Sequence, residues 1–164
     1  MITIYKNTES GLSTLQEMTS NCWVNVIDPT PEELSSLQQW GIPQDFLQYP
    51  LDLDERPRTE RENGDLLIVL RIPYFQGQSA DIPYTTIPLG IILNNQIIMT
   101  VCKRENEVLR ELTSGRIKEL STGKRYRFVL RLLLCTAAKY LNYLREITKE
   151  VDVLEDKLQL STRN

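Results

Sequence analysis

Residues 124–160 read KRYRFVLRLLLCTAAKYLNYLREITKEVDVLEDKLQL, and the apolar positions in this stretch repeat as a heptad. With Leu130 in position a, the a series continues with Ala137, Leu144, Val151 and Leu158. The d series is Leu133, Tyr140, Ile147 and Leu154, and no Pro or Gly follows Gly123. An unbroken repeat of this kind predicts one long amphipathic helix. Such a helix spans roughly 55 Å, well beyond the width of a small globular domain. It must leave its own domain and lean on something else.

The predicted helix changes character along its length. In its first half Phe128, Val129, Leu132, Leu134, Ala138 and Leu141 widen the apolar stripe beyond a and d, which predicts burial on several sides. From Thr148 onward the stripe narrows to a seam flanked by Lys149, Glu150, Asp152, Glu155, Asp156 and Lys157. That part expects one helical neighbour and water elsewhere, with Leu144, Ile147, Val151, Leu154 and Leu158 as the partner-facing seam. Lys124, Arg125, Arg127 and Arg131 crowd the N-terminal end, while the acids all come late. This order opposes the helix dipole, which favours acids early and bases late. A solvated, salt-bridged face is the plain reading of the charged flanks.

The 164 residues suffice for one domain, residues 1–123, and a projecting element, residues 124–164. With 41% hydrophobic and 25% charged residues, the chain has the composition of a folded protein. A net charge of −3 argues against a nucleic-acid binder, which needs a basic footprint. Cys22, Cys102 and Cys135 are far apart and form no Cys-x-x-Cys pair, which points to a reducing compartment. There is no histidine. Ser-His and Cys-His catalysis and most transition-metal sites are therefore excluded. Any bound metal would be a hard cation held by oxygens, such as magnesium. The most apolar run, Phe128 to Ala138, is about half a membrane span and carries Arg131. The sequence shows no signal peptide, reads as soluble, and looks cut rather than finished after Ser161-Thr162-Arg163-Asn164.

Ahead of the helix, short strands dominate. Ile2 to Tyr5 is strand-like, and Cys22 to Ile27 predicts a buried strand. Thr30-Pro31-Glu32-Glu33 is a capping box with Pro in the first helical position, so its acids are capping groups. The helix it opens turns Leu34 and Leu37 inward and closes at Gly41. Residues 42–47 suggest a second short helix. Asp52, Asp54, Glu55, Arg56 and Arg58 form an ion-pair cluster entering a strand. Arg58 to Glu62, Asn63-Gly64 and Asp65 to Tyr74 predict a hairpin on a type I′ turn. Its second strand, Leu66 to Leu70, is apolar on both faces and is expected at the centre of a sheet. Tyr84 to Leu93, Asn94-Asn95 and Gln96 to Cys102 predict another hairpin, whose asparagines suit the left-handed region. Residues 75–83 form the polar link between the hairpins. Glu105 to Leu112 predicts a short helix, and Ser121-Thr122-Gly123-Lys124 leads into the long one. Helices on either side of a strand run give an α/β layered domain.

The phosphate-loop, dinucleotide and nucleophile-elbow motifs are all absent. What the residues do carry is a resemblance. Trp23 with Asp28-Pro29-Thr30 and Glu32-Glu33-Leu34 comes first, then Ile42-Pro43, then Leu51-Asp52 with Glu55-Arg56-Pro57-Arg58. Next come the strand Leu66 to Leu70, the hairpin from Thr86-Ile87-Pro88-Leu89 to Thr100-Val101, and Tyr140-Leu141 through Val151-Asp152-Val153-Leu154-Glu155. Taken in order, these resemble the N-terminal cytosolic domain of CorA-type magnesium transporters, over nearly the whole chain.

The resemblance implies an α/β/α sandwich: a mixed, largely antiparallel sheet with helices on both faces, followed by a long C-terminal helix that starts a helical stalk region. It implies a homopentamer at the cytoplasmic face of the cell membrane, with two spans and a Gly-Met-Asn pore mouth that lie outside this sequence. The family senses magnesium through interface carboxylates. By register the loop acid of the family falls at Gln76, and the helical acid has no counterpart between 124 and 145. Asp81, Glu150, Asp152, Glu155 and Asp156 are the alternative metal candidates. The expected role is a regulatory and assembly domain of a divalent-cation channel. It needs no cofactor, takes magnesium as transported or regulatory ion, has copies of itself as partners, and does not act as an enzyme. The competing reading is a stand-alone module that binds a helical partner through the seam. A third, carboxylate chemistry at Asp52, Asp54 and Glu55, competes with their simpler role as an ion-pair cluster.

Overall fold

The computed structural model describes residues 1–163, in which seven strands alternate with helices. The strands are β1 (Ile2–Thr8), β2 (Gly11–Leu15), β3 (Trp23–Ile27), β4 (Arg58–Glu62), β5 (Asp65–Phe75), β6 (Tyr84–Leu93) and β7 (Ile98–Cys102). The helices are α1 (Pro31–Gln39), α2 (Gln44–Gln48), α3 (Glu107–Thr113) and α4 (Arg125–Arg163), with a 3-10 turn at Tyr49–Leu51. One sheet runs in the order β2-β1-β3-β7-β6-β5-β4. Among the described residues only β3 and β7 pair parallel; every other neighbour is antiparallel. The sheet is therefore mixed, as the resemblance implied.

Alternation along the central strands explains the two-layer core. Trp23, Ile27, Leu89, Ile91, Ile98 and Cys102 meet Val108, Leu109, Leu112, Phe128 and Leu132 from α3 and α4. Their neighbours Val24, Val26, Ile92, Met99 and Val101 face the other way, onto Leu37, Ile42, Phe46 and Leu47. β6 and β7 are buried on both faces because helices cover both.

The capping box forms as expected: Thr30 Oγ1 accepts from the Glu33 amide at 3.2 Å, and Glu33 accepts from the Thr30 amide at 2.9 Å. Asn63 and Gly64 take the positive φ angles, 50° and 87°, that the tight hairpin requires. Gly90 matters for space: a Cβ there would lie 2.2 Å from Cγ of Pro50, which the 3-10 turn presses against the sheet.

Several expectations are corrected. β5 is second from the edge, not central, and its burial alternates; Leu67 and Val69 are buried while Leu66, Ile68 and Leu70 are only half-covered. The apolar run reflected length along α4 rather than a central place. Asn94 and Asn95 do not enter the left-handed region. Instead Asn94 Oδ1 accepts the amides of Gln96 and Ile97, both at 2.9 Å, and shapes the turn with its side chain. The N-terminal strand continues to Thr8 and hairpins into β2, which the sequence reading missed. The long helix is unbroken from Arg125 to Arg163, slightly longer than the heptads predicted.

Candidate functional site

The root of α4 is fixed by a polar clasp. The Asn7 amide donates to Thr122 Oγ1 at 3.3 Å, the Thr122 amide donates to Asn7 Oδ1, and Asn7 Nδ2 donates to the Leu120 carbonyl. Thr122 is buried, so this satisfies backbone groups that water cannot reach. One turn on, Phe128 sits 5.0 Å from Trp23 in a tilted ring pair, and Trp23 stacks on Tyr5 at 4.8 Å. The buried indole of Trp23 donates to Thr100 Oγ1 at 2.8 Å, and that hydroxyl donates to Asn25 at 2.9 Å.

Farther along, α4 keeps touching the domain through long side chains. Tyr140 donates its hydroxyl to the Arg71 carbonyl at 2.7 Å. Lys139 pairs with Glu107 at 3.0 Å. Tyr143 packs on Tyr84 at 5.0 Å and Phe75 at 6.5 Å. Partial burial pushes the Tyr143 phenol well above its usual range, and the Glu107 carboxylate adds to the shift. Burial also opposes ionisation of Glu107, but Lys139 and the Tyr143 hydroxyl outweigh it and hold that carboxyl below its usual range. From Leu144 to Arg163 every residue of α4 is exposed.

The helix thus has two faces. The inner one is Phe128, Val129, Leu132 and Thr136, all buried. The outer one is apolar and bare: Tyr126 is 80% exposed, Leu130 61%, Leu134 61% and Leu141 55%. This corrects the expectation for the first half. Phe128, Val129 and Leu132 turn inward, but Leu134, Ala138 and Leu141 do not, because the sheet covers only one side of the helix. The seam residues Leu144, Ile147, Val151, Leu154 and Leu158 are exposed as well, with no helix beside them among the described residues.

The metal candidates are not gathered. Asp81 stands in the exposed 76–83 loop, and Glu150 lies across the helix from Asp152, Glu155 and Asp156. Among the described residues no three of His, Cys, Asp and Glu converge on a cation site. Gln76 closes its own loop: its amide Nε2 donates to the Ile82 carbonyl at 2.8 Å, and its backbone amide to the Pro83 carbonyl at 2.7 Å. Asp52, Asp54 and Glu55 serve the fold. Asp52 accepts from the Asp54 amide at 3.0 Å, and Glu55 pairs with Arg58. Arg71 ties this loop to the sheet through the Leu53 and Glu55 carbonyls at 3.0 and 2.9 Å. The outer face of α4 is the apolar face left open, where the heptads signalled a seam but not which flank the sheet would claim.

A mixed sheet between helices, with one helix rooted on it and left bare outside, defines an α/β/α domain with a projecting helical arm. The family model described as CorA-like Mg2+ transporter protein matches residues 19–164. The chain belongs to that family. The cobalt/magnesium transport protein CorA of Methanocaldococcus jannaschii is 31% identical over 146 residues, covering 83% of this chain and 43% of that protein. The structure of the soluble domain of CorA from the same organism matches with a TM-score of 0.78 at 27% identity, over 96% of this chain and 64% of that one. The complete CorA magnesium transporter structure gives 0.78 at 26% identity, over 96% of this chain and 51% of that one. The ZntB cytoplasmic domain from Vibrio parahaemolyticus shares the fold, with a TM-score of 0.73 at 12% identity over 92% of this chain and 63% of that one. The chain spans about half the length of the relatives it matches. Among the described residues no helix is long and apolar enough to cross a membrane.

Proposed function

We propose that this chain is the cytosolic regulatory and assembly domain of a CorA-type magnesium (divalent-cation) channel, without enzymatic activity of its own. The carrying observation is α4: fixed to the sheet along its first half and bare along its second, where an apolar stripe runs among charged residues. A rigid arm of that kind passes subunit packing on to whatever follows it. In this reading copies of the chain assemble side by side, as a pentamer, at the cytoplasmic face of the membrane, and magnesium is the transported ion. Magnesium keeps most of its water and is bound by one or two carboxylates. Gln76 is committed to Ile82, and among the described residues no acidic cluster forms within one chain. The residues of a single chain therefore do not fit a magnesium cage, and no ion-binding step is assigned to them.

The test is a chimera. Residues 1–163 replace the matching part of the M. jannaschii transporter, and magnesium flux into vesicles is followed. The reading expects an assembled chimera whose flux responds to magnesium on the domain's side as the parent's does. Failure to assemble refutes the assembly role; flux that ignores magnesium while the parent responds refutes the regulatory one. The exposed seam also favours a stand-alone module that binds a helical partner. A chimera that neither assembles nor conducts, from a chain that still captures a helix, selects that reading.

A further inference from the structure

We propose that the cleft between α3 and the β1–β3 part of the sheet binds a small zwitterion of the α-amino acid class, of the size of glycine or alanine. Thr3, Tyr5 and Asn25 line it from the sheet, and Glu105 and Arg110 line it from the α3 side. Its volume is about 110 Å³. That is the space of roughly four liquid waters, enough for glycine and too little for a nucleotide. α4 supplies none of its walls.

The floor of the cleft is polar, and buried Thr100 sets its orientation. Thr100 Oγ1 accepts the Trp23 indole N–H at 2.8 Å, so its own proton goes to Asn25 Oδ1 at 2.9 Å. With its oxygen engaged, the Asn25 side chain turns its NH2 into the cleft, and among the described residues that group has no protein acceptor. Thr3 lies opposite Asn25 in the β1–β3 pair, and Tyr5 lies opposite Trp23. Burial and the Glu105 carboxylate push the Tyr5 phenol above its usual range, so it keeps its proton. The floor therefore offers N–H and O–H donors, which suit a carboxylate.

The rim carries one charge of each sign. Arg110 and Glu105 stand 3.9 Å apart, the widest ion pair among the described residues, and both side chains are more than half exposed. Such a pair contributes little by itself. A zwitterion exchanges it for two close ones, its carboxylate on Arg110 and Asn25 and its ammonium on Glu105. An anion alone would leave Glu105 facing it. A cation alone would leave Arg110 and the donors of the floor unused. The site therefore calls for both charges in one small ligand. It depends on neither assembly nor transport, so this reading and the proposed function can each fail without the other.

The test follows the Trp23 indole N–H by NMR, because that group reaches Asn25 through Thr100. The chain has two tryptophans, so in Trp40→Phe protein Trp23 is the one indole left. Glycine is expected to move its resonance saturably with a Kd of about 1 mM or below, and acetate and methylammonium to bind about tenfold more weakly or worse. Glu105→Gln removes the advantage of glycine over acetate, and Arg110→Gln weakens glycine about tenfold or more. Both residues are exposed, so either variant keeps the urea midpoint of the parent. Asn25→Asp keeps an oxygen for the Thr100 hydroxyl and sets a negative charge against the ligand carboxylate. It abolishes glycine binding while the Trp23 resonance stays dispersed, which separates a lost site from a lost fold. No saturable shift with glycine up to about 20 mM, acetate binding as tightly as glycine, or a Glu105→Gln variant that still prefers glycine overturns the proposal.

Discussion

Replacing Phe128 by Ala tests which side of α4 the sheet claims. Phe128 is fully buried against Trp23, whereas Leu130, two residues on and the heptad's own position a, is 61% exposed. A buried Phe→Ala costs about 3–5 kcal/mol, the lost transfer energy plus the cavity beneath Trp23. Alanine returns about 0.5 kcal/mol of helix propensity, so the net loss is about 2.5–4.5 kcal/mol. For a chain of this length that lowers Tm by roughly 10 °C. Leu130→Ala removes a side chain that water already reaches, and its expected cost in dilute protein is within about 0.5 kcal/mol. Urea denaturation at low micromolar concentration measures both with a common m-value. Equal losses, or a larger loss at Leu130, would mean that the helix sits on the sheet by its heptad seam and that the inner face described above is wrong.

Gly90→Ala forces a methyl into Pro50 and is expected to cost about 1–3 kcal/mol; in a Pro50→Gly background the same change falls to near zero in a double-mutant cycle of urea unfolding. Glu107 has a folded pKa below its ordinary 4.5, so its contribution is present above that pH and is lost as the pH falls through the folded value. Glu107→Gln is therefore less stable at neutral pH, by under about 1 kcal/mol because the pair with Lys139 is partly exposed. The gap closes in acid, which a thermal melt series against pH reads directly. Thr30→Ala removes the cap that accepts the Glu33 amide and costs about 0.5–2 kcal/mol, visible as a lower urea midpoint with little change in m.

Local chemistry was legible where one residue type answers one geometric demand. Thr30-Pro31 with Glu33 wrote the start of α1, and Asn63-Gly64 wrote the β4–β5 turn. The helix α4 was legible because its repeat never breaks. Position across the sheet was not. Leu66 to Leu70 is as apolar as β6, yet β5 lies next to the edge, because half-cover by a crossing helix and full burial between helices select the same side chains. β2 escaped because Gly11-Leu12-Ser13-Thr14-Leu15 has few β-branched residues and gains its place from pairing with β1.

The site shows the same limit from the other direction. A heptad states that a helix wants a neighbour along one stripe, and it is silent on who that neighbour is. The sheet took the flank of Phe128, Val129 and Leu132, beside the seam, and left Leu130 bare. That division leaves α4 both anchored and open. A helix buried by its a and d residues has no face left for a partner, while one held by a neighbouring flank is rigid and still adhesive. The clasp of Asn7 on Thr122, the Trp23–Phe128 contact and the bond from Tyr140 to Arg71 fix the arm's direction from its root to its midpoint. Whatever pairs with the outer half is therefore held at a set angle to the sheet. Tyr140 and Tyr143, next to the seam's Leu144, join it to the sheet through side chains already in contact.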